Sequence, residues 1–114
     1  MTPDRKQQIE TLATKLMGLS VEGGTLIPIP EGFLIHDPIR GEILFDPFTD
    51  PVCCEMVKAR IKEMGYWLET TCGTDYGAAR IKSGMSEVCR RDNAHTEYEA
   101  VCLAALQLPE CEEE

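Results

Sequence analysis

The stretch FDPFTDPVCCEMVKARIKEMGYWLE, residues 45–69, decides how the rest of the chain is read. Two Asp-Pro steps lead into adjacent cysteines, then a run of mixed charge, then an aromatic pair. The question is whether DPVCCEMV is a reactive thiol site or the start of a helix. Pro51 has no backbone N–H to leave unpaired and suits the first helical position, which makes Asp50 the N-cap. Cys53, Met56, Val57, Ile61 and Met64 then follow at helical spacing on one face. Glu55, Lys58, Lys62 and Glu63 fall on the other, and Gly65 stops the helix before a β-rich segment. Cys53 is expected to face the core, and Cys54 to lie about 100° around the helix, nearer its edge. A helix N-terminus does lower a thiol pKa. A catalytic cysteine also needs a base, and the two histidines, His36 and His95, stand in no recognisable motif. The segment is read as a structural helix.

Upstream, TPDRKQQIETLATKLMGLS reads as an amphipathic helix. Thr2 caps it, Pro3 takes the first position, and Asp4 complements the positive end of the dipole. Ile9, Leu12, Ala13, Leu16 and Leu19 form one apolar stripe, and Gly18 marks the stop. Residues 20–49 hold four of the seven prolines. Pro28 and Pro30 permit an edge strand or extended loop but no central strand. FLIH and EILF suit short strands, and VEGGTL a turn.

Downstream, YWLETTCG, YGAARIKSG and MSEVCRRDN suit three strands. In the first, Trp67, Glu69 and Thr71 share one face, and Leu68, Thr70 and Cys72 the other. Their short links leave no room for a crossover, so the strands are antiparallel. HTEYEAVCLAALQLP closes the chain as a helix, with Thr96 and Glu99 at capping-box spacing. Its all-round apolar surface needs cover on more than one side, from the sheet and from the first helix or a second subunit. A homodimer is therefore open. Pro109 stops the helix, and residues 110–114 are expected to be an acidic, solvated tail after one domain spanning 1–109.

The chain has 114 residues, is 43% hydrophobic and carries a net charge of −9. That length fits one core. No apolar run reaches the ~20 residues of a membrane span. The N-terminus lacks a signal peptide's hydrophobic region, so a cytosolic address and reduced thiols are expected. Residues 92–114 carry seven acids and no base, whereas residues 51–91 are net +2. Direct nucleic-acid binding is disfavoured, because counterion release requires clustered Lys and Arg. An acidic surface suits instead the basic groove of a nucleic-acid-binding protein.

Three blocks in this order resemble the phage ABA-sandwich domain family of tailed phages and prophages. IETLATKLMGL is similar to its first helix, with Leu19 where Trp is expected. FDPFTDPVCCEMVKARIKEMGY is similar to its second, with Pro47, Thr49 and Asp50 matching the opening. AHTEYEAVCLAALQL matches the closing helix through Ala100, Val101, Cys102, Ala104, Ala105 and Leu106. The resemblance implies an α+β fold: a layered α-β-α sandwich, with three helices around one antiparallel sheet of about four to five strands. It implies a phage setting in the host cytosol and transfers no catalytic residue.

No metal or cofactor is expected. Cys72, Cys89, His95 and Cys111 lack the local spacings of zinc motifs. Asp37, Glu42, Asp46 and Asp50 suit turns and caps better than a magnesium site. Neither a phosphate loop nor a nucleophile elbow occurs. The leading expectation is a non-enzymatic phage protein that binds a host protein, in particular an inhibitor of an antiviral defence effector. Glu110, Glu112, Glu113 and Glu114 are its candidate partner-binding residues. The alternatives are a nucleotide-sequestering protein, using Lys58, Arg60, Lys62, Arg80, Lys82, Arg90 and Arg91, and a metal-dependent hydrolase.

Overall fold

The computed structural model describes residues 3–111. Helix α1, Pro3–Thr11, runs on into a widened π-helical turn at Leu12–Leu16. There the Met17 N–H reaches back five residues to the Leu12 carbonyl at 3.0 Å. Gly18, at φ +73°, then turns the chain away in a conformation that glycine adopts without strain. Ile9, Leu12, Ala13 and Leu16 are fully buried, as the stripe predicts, and Leu19 is half-buried. Arg60 Nε donates to the Leu16 carbonyl at 2.9 Å, which satisfies an acceptor at the helix end. The cap assigned to Thr2 lies outside the described residues.

Strands β1 (Ile27–Ile29), β2 (Gly32–Asp37) and β3 (Gly41–Leu44) form a small antiparallel sheet in that order. Pro28 sits in its edge strand, the place a residue without an N–H can occupy. Helix α2, Pro51–Glu63, starts as expected: the Asp50 carboxylate accepts the Val52 N–H at 2.9 Å. Strands β4 (Trp67–Gly73), β5 (Tyr76–Ser83) and β6 (Ser86–Ala94) make a second antiparallel sheet, ordered β4-β5-β6.

The fold is α+β with three helices, but the single sheet of four to five strands is replaced by two sheets of three strands each. The reason is local. Pro28 removes a donor from the β1 edge. After β3 the Asp46 and Asp50 turns send the chain directly into α2, and the Leu44 carbonyl is taken by the Cys53 thiol at 3.5 Å. The layering also departs from helices on both faces of one sheet. Helix α3, Glu97–Ala105, packs on the β5 and β6 face that buries Ala79, Ile81 and Cys89. The other face, with Trp67, Glu69, Thr71, Val88 and Arg90, is exposed.

Thr96 accepts the Glu99 N–H at 3.1 Å, while the Glu99 carboxylate accepts from His95 N–H at 3.3 Å. This is the capping box with its return bond shifted one residue upstream. Ala100, Val101, Cys102, Ala104 and Ala105 are buried between the second sheet, α2 and the Leu12–Leu16 turn. The apolar closing helix thus finds its cover within one chain. Gly77 lies against the start of α3, where a Cβ would run into the backbone of Thr96 and Glu97.

The expected boundary at Pro109 also moves. A 3-10 turn, Pro109–Cys111, seats Cys111 at 4% exposure, so the folded body continues through residue 111. Each fully buried Leu, Ile or Val in this core contributes about 1.5–3 kcal/mol of transfer free energy. All six cysteines are free thiols, five buried and Cys72 exposed. Cys54 departs from its expected position at the helix edge. It is fully buried and hydrogen-bonds Cys102 across the α2–α3 contact.

Candidate partner-binding surface

The exposed corner where α2 hands over to β4 presents an aromatic side chain and a base, and Tyr66 behind it holds an acid. Gly65, at φ +91°, ends α2 and releases Tyr66 and Trp67 into the strand. Strand alternation sends Trp67 to the open face of the sheet, where it is 64% exposed. Tyr66, one residue earlier, points the other way, and its hydroxyl donates to both Glu110 carboxylate oxygens, at 2.7 and 3.1 Å. The Glu110 hydrogen bond, aided by partial burial, pushes the Tyr66 phenol up to about 12. Lys62, Tyr66, Trp67 and Leu68 border a hollow of about 450 Å³.

Of the four acidic residues expected to meet a partner, Glu110 is thus held against the folded body. Glu112, Glu113 and Glu114 lie outside the described residues. Trp67 was missed as a candidate. Its signal was present in the alternation, which put a tryptophan on the same face as Glu69 and Thr71, where a polar side chain is the usual occupant.

Of the bases suggested for an anion pocket, Arg80 and Arg90 come together as cross-strand partners that line one hollow with Glu69 and Asp92. The bases that form ion pairs are matched by acids. Arg80 pairs with Glu87 at 3.3 Å, Lys82 with Glu69 at 3.1 Å and Arg90 with Asp92 at 2.7 Å, all on the second sheet. Arg60 meets Glu63, and Lys58 bridges Glu55 and Glu97 on the helices. Lys58 is also less exposed than its place on the polar face of α2 implied, at 15%.

The thiols behave as packing groups. Burial pushes Cys53 up to about 11, and Cys111 likewise to about 11. Cys54 is lowered, chiefly by the Cys102 hydrogen bond and, against burial, by the nearby Lys58 charge. Cys102 is raised by burial. His36 and His95 are exposed, whereas every thiol except Cys72 is buried. Asp37 accepts the Ile39 N–H at 2.8 Å, Asp46 the Thr49 hydroxyl at 2.7 Å, and Asp50 caps α2. These carboxylates are therefore engaged in turns and caps. Among the described residues no three His, Cys, Asp or Glu side chains gather in a metal-binding group.

Among the described residues, no helix is long and apolar enough to cross a membrane. No family model, no curated protein and no solved structure matches the chain.

Proposed function

We propose that this is a small phage or prophage protein of the ABA-sandwich family that acts in the host cytosol by non-enzymatic binding to a host macromolecule. Its most concrete form is an inhibitor of an antiviral defence effector that carries a basic nucleic-acid groove. The observation that carries this reading is the corner at Trp67. A tryptophan exposed at 64% directly follows Tyr66, whose hydroxyl holds the Glu110 carboxylate on the other side of the chain. Binding energy at protein interfaces concentrates in a few aromatic and charged anchors. An anchor with a prefixed acid loses less conformational freedom on docking than a mobile one. The acid-only stretch 92–114 adds long-range attraction toward a basic partner and raises the association rate more than the affinity.

The test is capture from lysates of several defence-positive hosts at moderate salt, followed by calorimetry with the recovered protein. The expected result is one basic protein whose affinity falls about tenfold or more in Trp67→Ala, on the scale of a hot-spot truncation. Recovery of no partner, or equal affinity for Trp67→Ala, overturns the reading.

A further inference from the structure

The edge of the second sheet carries an inference that does not depend on the identity of any host partner. Strand β4 pairs with β5 over all seven of its residues without a shift, whereas the β5–β6 pairing is broken by two irregularities. Bulges twist and blunt an edge, so β6 is a protected one. The Arg90 carbonyl on β6 is also taken by the Gln107 side chain at 3.2 Å. The β4 edge has no such device: WLETTCG contains neither proline nor lysine and no bulge.

Which groups that edge presents is set by the hairpin. Gly73 and Tyr76 close a two-residue turn, so they form the hydrogen-bonded pair nearest it. Alternation then turns the N–H and C=O of Trp67, Glu69, Thr71 and Gly73 toward β5. Leu68, Thr70 and Cys72 turn theirs outward, where no backbone or side-chain group among the described residues pairs with them.

We infer that β4 is a dimerisation edge, on which a second copy of this chain pairs its own β4 antiparallel about a two-fold axis at Thr70. This register sets Thr70 opposite Thr70, Leu68 opposite Cys72, Glu69 opposite Thr71 and Trp67 opposite Gly73. It engages all three outward residues of both strands, and a six-stranded sheet results. No like charges face each other, a Thr–Thr pair is favourable across strands, and the tryptophan lies over a glycine. The neighbouring registers are poorer. Moving the axis to residue 69 sets Glu69 directly against Glu69, which is repulsive. Moving it to residue 71 leaves Leu68 unpaired. Charge does not oppose this edge. The segment 51–91 that holds β4 is net +2 in a chain of net −9, and the one charge on β4, Glu69, faces Thr71 in this register, so the seam brings no acids together. An isologous contact of this kind closes at two subunits.

Sedimentation of the full chain under reducing conditions tests this, with cysteine crosslinking to read the register. The expected result is a dimer at micromolar concentration that becomes monomeric in Thr70→Lys. Thr70→Pro should do the same, because the N–H it removes points away from β5. In a Cys72→Ser background, Glu69→Cys chains mixed with Thr71→Cys chains should form a disulfide-linked dimer. Neither variant should crosslink alone. A monomer up to ~100 µM, far above the micromolar range of specific weak dimers, overturns the inference. So does a dimer that survives both Thr70 substitutions. Crosslinking of Glu69→Cys with itself overturns the register.

Discussion

The Lys58 ammonium and the Glu97 carboxylate meet at 2.7 Å, joining α2 to the first turn of α3. Both side chains are mostly covered, at 15% and 23% exposure, so solvent screens this pair less than the ion pairs on the open sheet face. Burial opposes the lysine charge, yet hydrogen bonds to Glu97 and Glu55 outweigh it and raise the Lys58 pKa. The same bond to Lys58 lowers Glu97 below its ordinary 4.5. A carboxylate that ionises more readily in the folded chain stabilises it above the unfolded value. That contribution fades as pH falls through 4.5 toward the folded value. Lys58→Met should cost about 1–2 kcal/mol at pH 7. It should also flatten the loss of stability between pH 5 and 3, measured by urea unfolding. Combining it with Glu97→Gln should recover part of the cost, because the stranded charge is removed.

Tyr66 should titrate late in an absorbance titration at alkaline pH. The Glu110 carboxylate holds it near 12, and Glu110→Gln should bring it down toward the ordinary 10. Tyr66→Phe removes the hydrogen bond and should cost about 0.5–1.5 kcal/mol. If Glu110 is part of the partner contact, Tyr66→Phe should also slow association while Trp67 remains in place.

The buried thiols predict alkaline sensitivity. Cys53 and Cys111 ionise near 11 in the folded chain against an ordinary 9.0, so the unfolded chain loses those protons first. Their contribution is whole below about pH 9 and is lost as pH rises to 11 and beyond. Urea midpoints at pH 8, 9.5 and 11 should fall, and less steeply for a Cys53→Ala, Cys111→Ala double variant. In the native protein at pH 8 one thiol should react quickly with an aromatic disulfide reagent. Cys72→Ser should abolish that fast phase.

Gly77→Ala should be the most damaging small substitution in the second sheet. The added methyl meets the backbone of Thr96 and Glu97, which cannot rotate away as a side chain would. A cost of about 3 kcal/mol or more is expected, with loss of the α3 cap. Thermal unfolding checks it, and Gly73→Ala, where the nearest atom is the Tyr76 Cβ at 4.0 Å, is the mild control.

The helices were legible because their signals are local. Pro51 after Asp50, the three-and-four spacing of Ile9 to Leu16, and Thr96 before Glu99 each act within a few residues. The β4–β6 hairpins were legible for the same reason. Whether β1–β3 would join them depended on contacts far apart in sequence, which periodicity does not encode. Cys54 was misplaced because a helical wheel knows one neighbour surface, and α2 has two: the sheet side and α3, from which Cys102 meets it. At the candidate surface, charge pointed to Glu110 but not to its anchoring by Tyr66, 44 residues away in the chain. Trp67 was assigned to its strand face correctly, and the missing inference was that none of the described residues covers that face.

The wide turn at Leu12–Leu16 holds one residue more than a regular helix would spend on the same rotation. Such a turn absorbs an insertion without displacing the chain beyond it. Deleting the exposed Lys15 should therefore convert it to ordinary α-helical pitch and leave Leu19 and the rest of the fold in place. A homologue with an ordinary helix here would align to this chain only through a one-residue gap inside a helix, a position where gaps are normally penalised.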